Sequence, residues 1–166
     1  IIDSNNLKVE EVLELIEKTT DSEVTQFGDI IFQSLEKMIL NGQVSDVLLL
    51  LKSSFIKDTS DRITYFNAYR DYLLGKLVNQ ERIEGYNSSI EYFESAFNQL
   101  ENESISELTW KVLVAIAELY FERGNYHKAK RPRLYAMELI NMILESISNP
   151  RIRNKFLEKK ERKEAL

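Results

Sequence analysis

Two short turns, Gly42-Gln43-Val44 and Gly124-Asn125-Tyr126, stand 82 residues apart, and each is followed by an apolar residue, Val47 or Ala129, five positions beyond its glycine. A repeat at a fixed period constrains a chain more than any single element does, because each copy must bury its apolar face on a neighbour. The interval fits two periods of about 41 residues, within the range of helical-repeat arrays. A third copy is expected midway. There Glu84-Gly85-Tyr86 leads into Ser89, Phe93 and Ala96, with the glycine displaced by one position.

The repeating unit reads as a pair of helices. Val9, Val12, Leu13 and Ile16 recur at helical spacing, as do Phe27, Ile31, Leu35 and Met38, and again Ile105, Leu108, Val112, Ile116 and Leu119. Break signals separate these stripes: Thr19-Thr20-Asp21-Ser22, Asn41-Gly42, Asp58-Thr59-Ser60-Asp61, Glu84-Gly85, Asn102-Glu103-Ser104, Gly124-Asn125 and Asn149-Pro150. Ser104 with Glu107 reads as a capping box, in which hydroxyl and carboxylate satisfy helix-start amides reciprocally. Helices are predicted near 7–19, 22–40, 44–56, 60–79, 87–101, 104–123, 127–148 and 151–165, about eight in one domain spanning 1–166. They group into antiparallel pairs near 22–56, 60–101 and 104–148, with flanking helices at either end.

Each feature of such a pair has a physical reason. The first helix needs a small residue where the second crosses it. The glycine supplies the positive φ of a tight helix-ending turn, and the aromatic two residues later is expected to plug the gap between helices. Two prolines and five glycines in 166 residues agree with an all-α chain.

Composition also narrows location and chemistry. There is no cysteine, which excludes disulfides and thiolate metal sites and fits a reducing compartment. The longest apolar run, Val47 to Leu51, is far short of the roughly 20 residues needed to cross a bilayer, and no charged-then-apolar leader opens the chain. A soluble, cytoplasmic protein with no membrane association is expected. The chain opens on Ile1 and closes inside a charged run, which reads as a piece of a longer protein. Charge is uneven: residues 1–127 carry 11 Lys and Arg against 22 Asp and Glu, a net of −11, whereas residues 128–166 carry 11 against 5, a net of +6. Such asymmetry marks an interaction surface or a solvated helix face.

Leu113, Ile116, Ala117, Tyr120, Gly124, Tyr126, Ala129 and Ala136 resemble the pattern of the tetratricopeptide repeat, and Leu74, Gly75, Ser89, Phe93 and Ala96 repeat part of it. Arg133 stands where that family has an aromatic, the closing proline is delayed to Pro150, and the match covers about two thirds of the chain. The resemblance implies a right-handed superhelical solenoid that binds protein segments on its concave face. The stretch from Ile143 to Leu166, with Phe156-Leu157, is similar to the end of the tetratricopeptide region in large bacterial signalling regulators. That similarity implies a place between a nucleotide-hydrolysing module and an output domain, in signalling or transcription regulation.

Candidate binding residues cluster late in the chain. Lys128, Lys130, Arg131 and Arg133 crowd around Pro132 and form an anion or acidic-partner patch, unless they are a solvated basic turn. Proline costs about 3 kcal/mol inside a helix and little in its first turn, so helix 127–148 either starts late or kinks; a late start or a broken first turn is the favoured reading. Trp110, beside Lys111, is a groove hot spot or, more readily, a packing residue. The concave face implied for the last pair shows Lys111, Val114, Glu118, Phe121 and Glu122, where only Lys111 suits an anion. That face argues against a carboxylate clamp and for an amphipathic or basic peptide, or another part of the same polypeptide.

His127, the only histidine, lacks a second ligand at metal spacing, and neither a catalytic base nor a cofactor is assigned. The close carboxylate pairs Glu10-Glu11 and Glu101-Glu103 fall on faces or turns without a shielded cleft, and no phosphate loop, serine elbow or His-Glu metal helix occurs. The expected function is therefore a non-catalytic interaction scaffold with a protein or peptide partner. Two alternatives stand beside it: nucleic-acid binding through Arg151, Arg153 and Lys155, and small-molecule sensing between helices.

Overall fold

The structure is a computed structural model that describes residue 14 and residues 24–53, 56–57, 63–81, 83, 87–103 and 106–158. Among them the chain is all-α, with seven helices and no strand. The predicted helix 7–19 lies outside the described residues except for Glu14, which is helical, and the midway turn Glu84-Gly85-Tyr86 lies outside them altogether. The chain divides into two compact units, residues 1–100 and 101–166.

In the first unit, α1 (Val24–Leu40) and α2 (Val44–Leu51) meet at the first of the two glycine turns. Ile31, Leu35 and Met38 are buried as the stripe requires, while Phe32 and Ile39 are buried beside them, so α1 packs on more than one neighbour. Gly42 has φ +78°; its N–H donates to Ile39 O at 2.9 Å, and Gln43 N–H donates to Met38 O at 3.0 Å. That pair of bonds is a Schellman closure, which needs a left-handed residue at this position. The second helix is shorter than the predicted 44–56. Its last turn tightens as Lys52 N–H donates to Leu49 O, and the Ser53 hydroxyl then accepts from Ile56 N–H at 3.5 Å, giving the backbone a competing local bond.

The centre of this unit is α3 (Thr64–Gln80), buried at Phe66, Ala68, Tyr69, Tyr72, Leu73, Leu74, Gly75 and Leu77. Those positions occupy most of its circumference because α1, α2 and α4 (Ser89–Leu100) all pack on it. Two glycines allow the closest approaches. A Cβ at Gly28 would collide with the Phe66 ring, and one at Gly75 would lie 2.5 Å from the Phe93 ring. Phe32 stacks between Phe66 and Tyr69 at centroid distances of 5.3 and 5.1 Å, each pair contributing about 0.5–1.5 kcal/mol beyond area burial. Beside this stack, the buried Glu36 carboxylate accepts from Tyr69 OH at 3.2 Å and Tyr72 OH at 2.9 Å and lies 3.6 Å from Lys76 Nζ. Burial and the nearby Glu36 charge raise the Tyr69 phenol far above its ordinary pKa.

The second unit holds α5 (Glu107–Glu122), α6 (Tyr126–Ser146) and α7 (Pro150–Glu158). Ser104, predicted to open a capping box, lies outside the described residues; α5 begins at Glu107, and its N-cap is Ser106, whose Oγ accepts from Thr109 N–H at 3.3 Å. The turn into α6 repeats the Gly42 turn bond for bond. Gly124 has φ +71°, Gly124 N–H donates to Phe121 O at 2.9 Å, and Asn125 N–H donates to Tyr120 O at 2.8 Å.

The favoured reading of Pro132 is also corrected. Helix α6 starts at Tyr126 and runs through the proline, because the glycine turn and Asn125, whose Oδ1 accepts from Lys128 N–H at 3.4 Å, fix its start. Proline removes the donor that would reach the Lys128 carbonyl, and Lys128 is exposed, so water can take that place. Ala129, Ala136, Leu139, Ile140 and Leu144 form the buried face of α6. Asn149 caps α7 through bonds from Arg151 N–H and Ile152 N–H at 2.9 and 3.4 Å, with Pro150 in the first helical position, where its missing donor is harmless. No helix among the described residues is long and apolar enough to cross a membrane.

Candidate functional site

The antiparallel run of α5 and α6 leaves a groove of about 420 Å³ beside the Gly124 turn, lined by Val114, Ala117, Glu118, Phe121, Glu122, Tyr126, Ala129, Lys130 and Arg133. Its floor is made by small and branched residues, Val114 with the buried Ala117 and Ala129. Its mouth is aromatic. Phe121 and Tyr126 are 59 % and 62 % exposed and meet edge to face at 5.0 Å. One wall carries the carboxylates of α5 and the other the cations of α6, so apolar contact and both signs of charge converge on a volume suited to a few side chains.

The expectation for Tyr126 fails here. At the matching turn Val44 is buried, but Tyr126 faces water and rests on Phe121. A ring at the first helical position beside another exposed ring has a partner on the surface, and Ala129, three residues on, is the buried residue here.

The seven residues singled out from the sequence separate into several places. Glu118, Lys130 and Arg133 line the groove, joining residues that the sequence assigned to two different features. Arg131 lies with His127, Lys130, Leu134, Tyr135 and Glu138 around a second depression of about 530 Å³ on α6. Lys128 holds its ammonium 5.6 Å from the Tyr120 ring centre, a cation–π contact outside the groove lining. Lys111 lies 3.6 Å from Glu107, one turn earlier on α5, and is absent from the groove.

Trp110 is 1 % exposed, and its indole N–H has no acceptor among the described residues. Trp110 packs inside the second unit and does not line the groove. Sequence reasoning missed Ala117, Tyr126 and Ala129 as lining because their repeat positions predict packing. The signal available was the four-residue spacing of Val114, Glu118 and Glu122 on one helix facing Tyr126, Lys130 and Arg133 on the next. Among the described residues, no group of three or more His, Asp and Glu is placed to hold a metal ion.

No family model matches the chain, and no curated protein and no solved structure matches it either.

Proposed function

We propose that the chain is a tetratricopeptide-like helix-pair array acting as a non-catalytic interaction scaffold, and that it binds an amphipathic helical segment of a protein in the α5–α6 groove. The observation that carries this reading is the groove itself: an apolar floor, two exposed aromatics at its mouth and charged walls of both signs. A helix laid in a groove uses such parts, with its apolar ridge on the floor and its charged flanks on the walls. The tetratricopeptide assignment is supported by the two glycine turns, which share backbone conformation and hydrogen bonds at an interval of 82 residues. A place within a larger signalling regulator agrees with a sensing role for the same groove.

Selection of a displayed library of amphipathic helical peptides on the purified full chain tests the proposal. Binders should bind the wild type and lose about tenfold or more in affinity on Phe121→Asp, the scale of one buried interface anchor. Failure to enrich any sequence above scrambled controls would overturn it.

A further inference from the structure

We propose a second docking surface on α6, separate from the groove, that takes an acidic, partly apolar segment of a partner protein. Two rows at four-residue spacing, His127–Arg131–Tyr135 and Lys130–Leu134–Glu138, lie side by side on this helix and line the depression of about 530 Å³. Over about 16 Å of helix axis the face has three parts: the Lys130 and Arg131 cations with the His127 imidazole, then Leu134 and Tyr135, then the Glu138 carboxylate. Leu134, in the middle, is 48 % exposed.

The cationic end is not neutralised by its own surroundings. From Gly124 to Met137 the chain has no carboxylate, while Lys128, Lys130, Arg131 and Arg133 follow one another closely, and the first turn of α6 holds no acidic residue. Among the described residues Lys130 and Arg131 form no ion pair, whereas Lys76 and Lys111 each lie 3.6 Å from a carboxylate. Lys128 and Arg131 are three residues apart, as are Lys130 and Arg133, a spacing at which like charges repel across a helix surface. Carboxylates brought by a partner remove that repulsion. Leu134 decides what kind of anion this is: a phosphate backbone gains little from exposed apolar surface, and Glu138 repels it at the far end. An acidic peptide with an apolar residue beside its carboxylates suits both the first part and the second.

Fluorescence anisotropy of the full chain with a labelled short peptide, a run of Asp and Glu followed by Leu and Phe, tests this. Lys130 borders the groove as well, so Arg131 is the position that isolates this face. Wild type should bind the peptide, and Arg131→Glu should weaken binding about tenfold, the scale of an ion pair turned into a repulsion, with a smaller loss for Arg131→Gln. Leu134→Asp should also weaken it, while Phe121→Asp, in the groove, should leave it unchanged. Arg131→Glu relieves like-charge repulsion, so its melting temperature should match or exceed that of wild type, which separates lost binding from misfolding. No binding of the peptide, or binding indifferent to Arg131→Glu, would overturn the second surface; loss on Phe121→Asp alone would overturn it too and assign the acidic segment to the groove. Random duplex DNA or phosphatidylserine vesicles that bind through Arg131 more tightly than the peptide would overturn the protein partner.

Discussion

An alanine at Gly42 or Gly124 would meet nothing within 4 Å, so any penalty comes from holding an L-residue at φ +78° or +71°. Each substitution should cost about 1–2 kcal/mol in urea denaturation, and no neighbouring change should relieve it. Gly75→Ala is different in kind, because its Cβ runs into the Phe93 ring; the loss should be about 1–3 kcal/mol, and Phe93→Leu should recover part of it. Both glycine turns were legible from spacing alone. The Glu36 cluster was not, because its tyrosines lie 33 and 36 residues away and no local period brings them together. Glu36→Leu removes the acceptor of the Tyr69 and Tyr72 hydroxyls, while Lys76 keeps its bond to the Tyr72 hydroxyl, and should cost about 1–3 kcal/mol in the same measurement. Tyr69 is neutral when protonated and its folded pKa is raised, so its contribution is fully present below the unfolded value of 10.0 and is lost as pH climbs above it. Alkaline absorbance titration should show this phenol ionising only as the first unit unfolds.

At the scale of elements, periodicity located helices and local chemistry moved their ends. Helix α5 begins at Glu107 because Ser106 reaches the Thr109 amide, and α2 stops at Leu51 because Ser53 offers its hydroxyl to the following turn. The cap that sequence reading passed over is at α4, where Glu91 accepts at 2.7 Å from both the Ser88 amide and the Ser88 hydroxyl. Those bonds lower the Glu91 pKa from its ordinary 4.5, so the cap is intact above that value and is lost as pH falls through the depressed one. Protection of the first-turn amides of α4 against hydrogen exchange, relative to their intrinsic rates, should fall below pH 4.5, an effect that Glu91→Gln removes. Pro132 gives the opposite lesson. The favoured late start weighed only the proline, while the Gly124 turn and the Asn125 cap fix where α6 begins. Pro132→Ala restores a donor to the Lys128 carbonyl and should raise stability by about 1–3 kcal/mol, net of the freedom regained by the unfolded chain.

Across the molecule, two buried cores carry the helix pairs, one in each unit, and the groove belongs to the second. Half of that groove could be read from the sequence, since the spacing of Val114, Glu118 and Glu122 follows from α5 alone. The other half depends on which face α6 turns toward α5. Burial of Ala129 and exposure of Tyr126 record which face that is. Trp110 shows the limit of composition as a guide, because an aromatic beside a lysine reads as a hot spot or, more readily, as core until its burial is known. The central claim is that this groove is the docking surface. The most direct measurement is amide and methyl chemical-shift mapping of the full chain titrated with a helical peptide selected on it. The account predicts that the shifts concentrate on Val114, Ala117, Phe121, Tyr126 and Ala129; shifts centred instead on Leu134 and Tyr135, or scattered over both units, would contradict it.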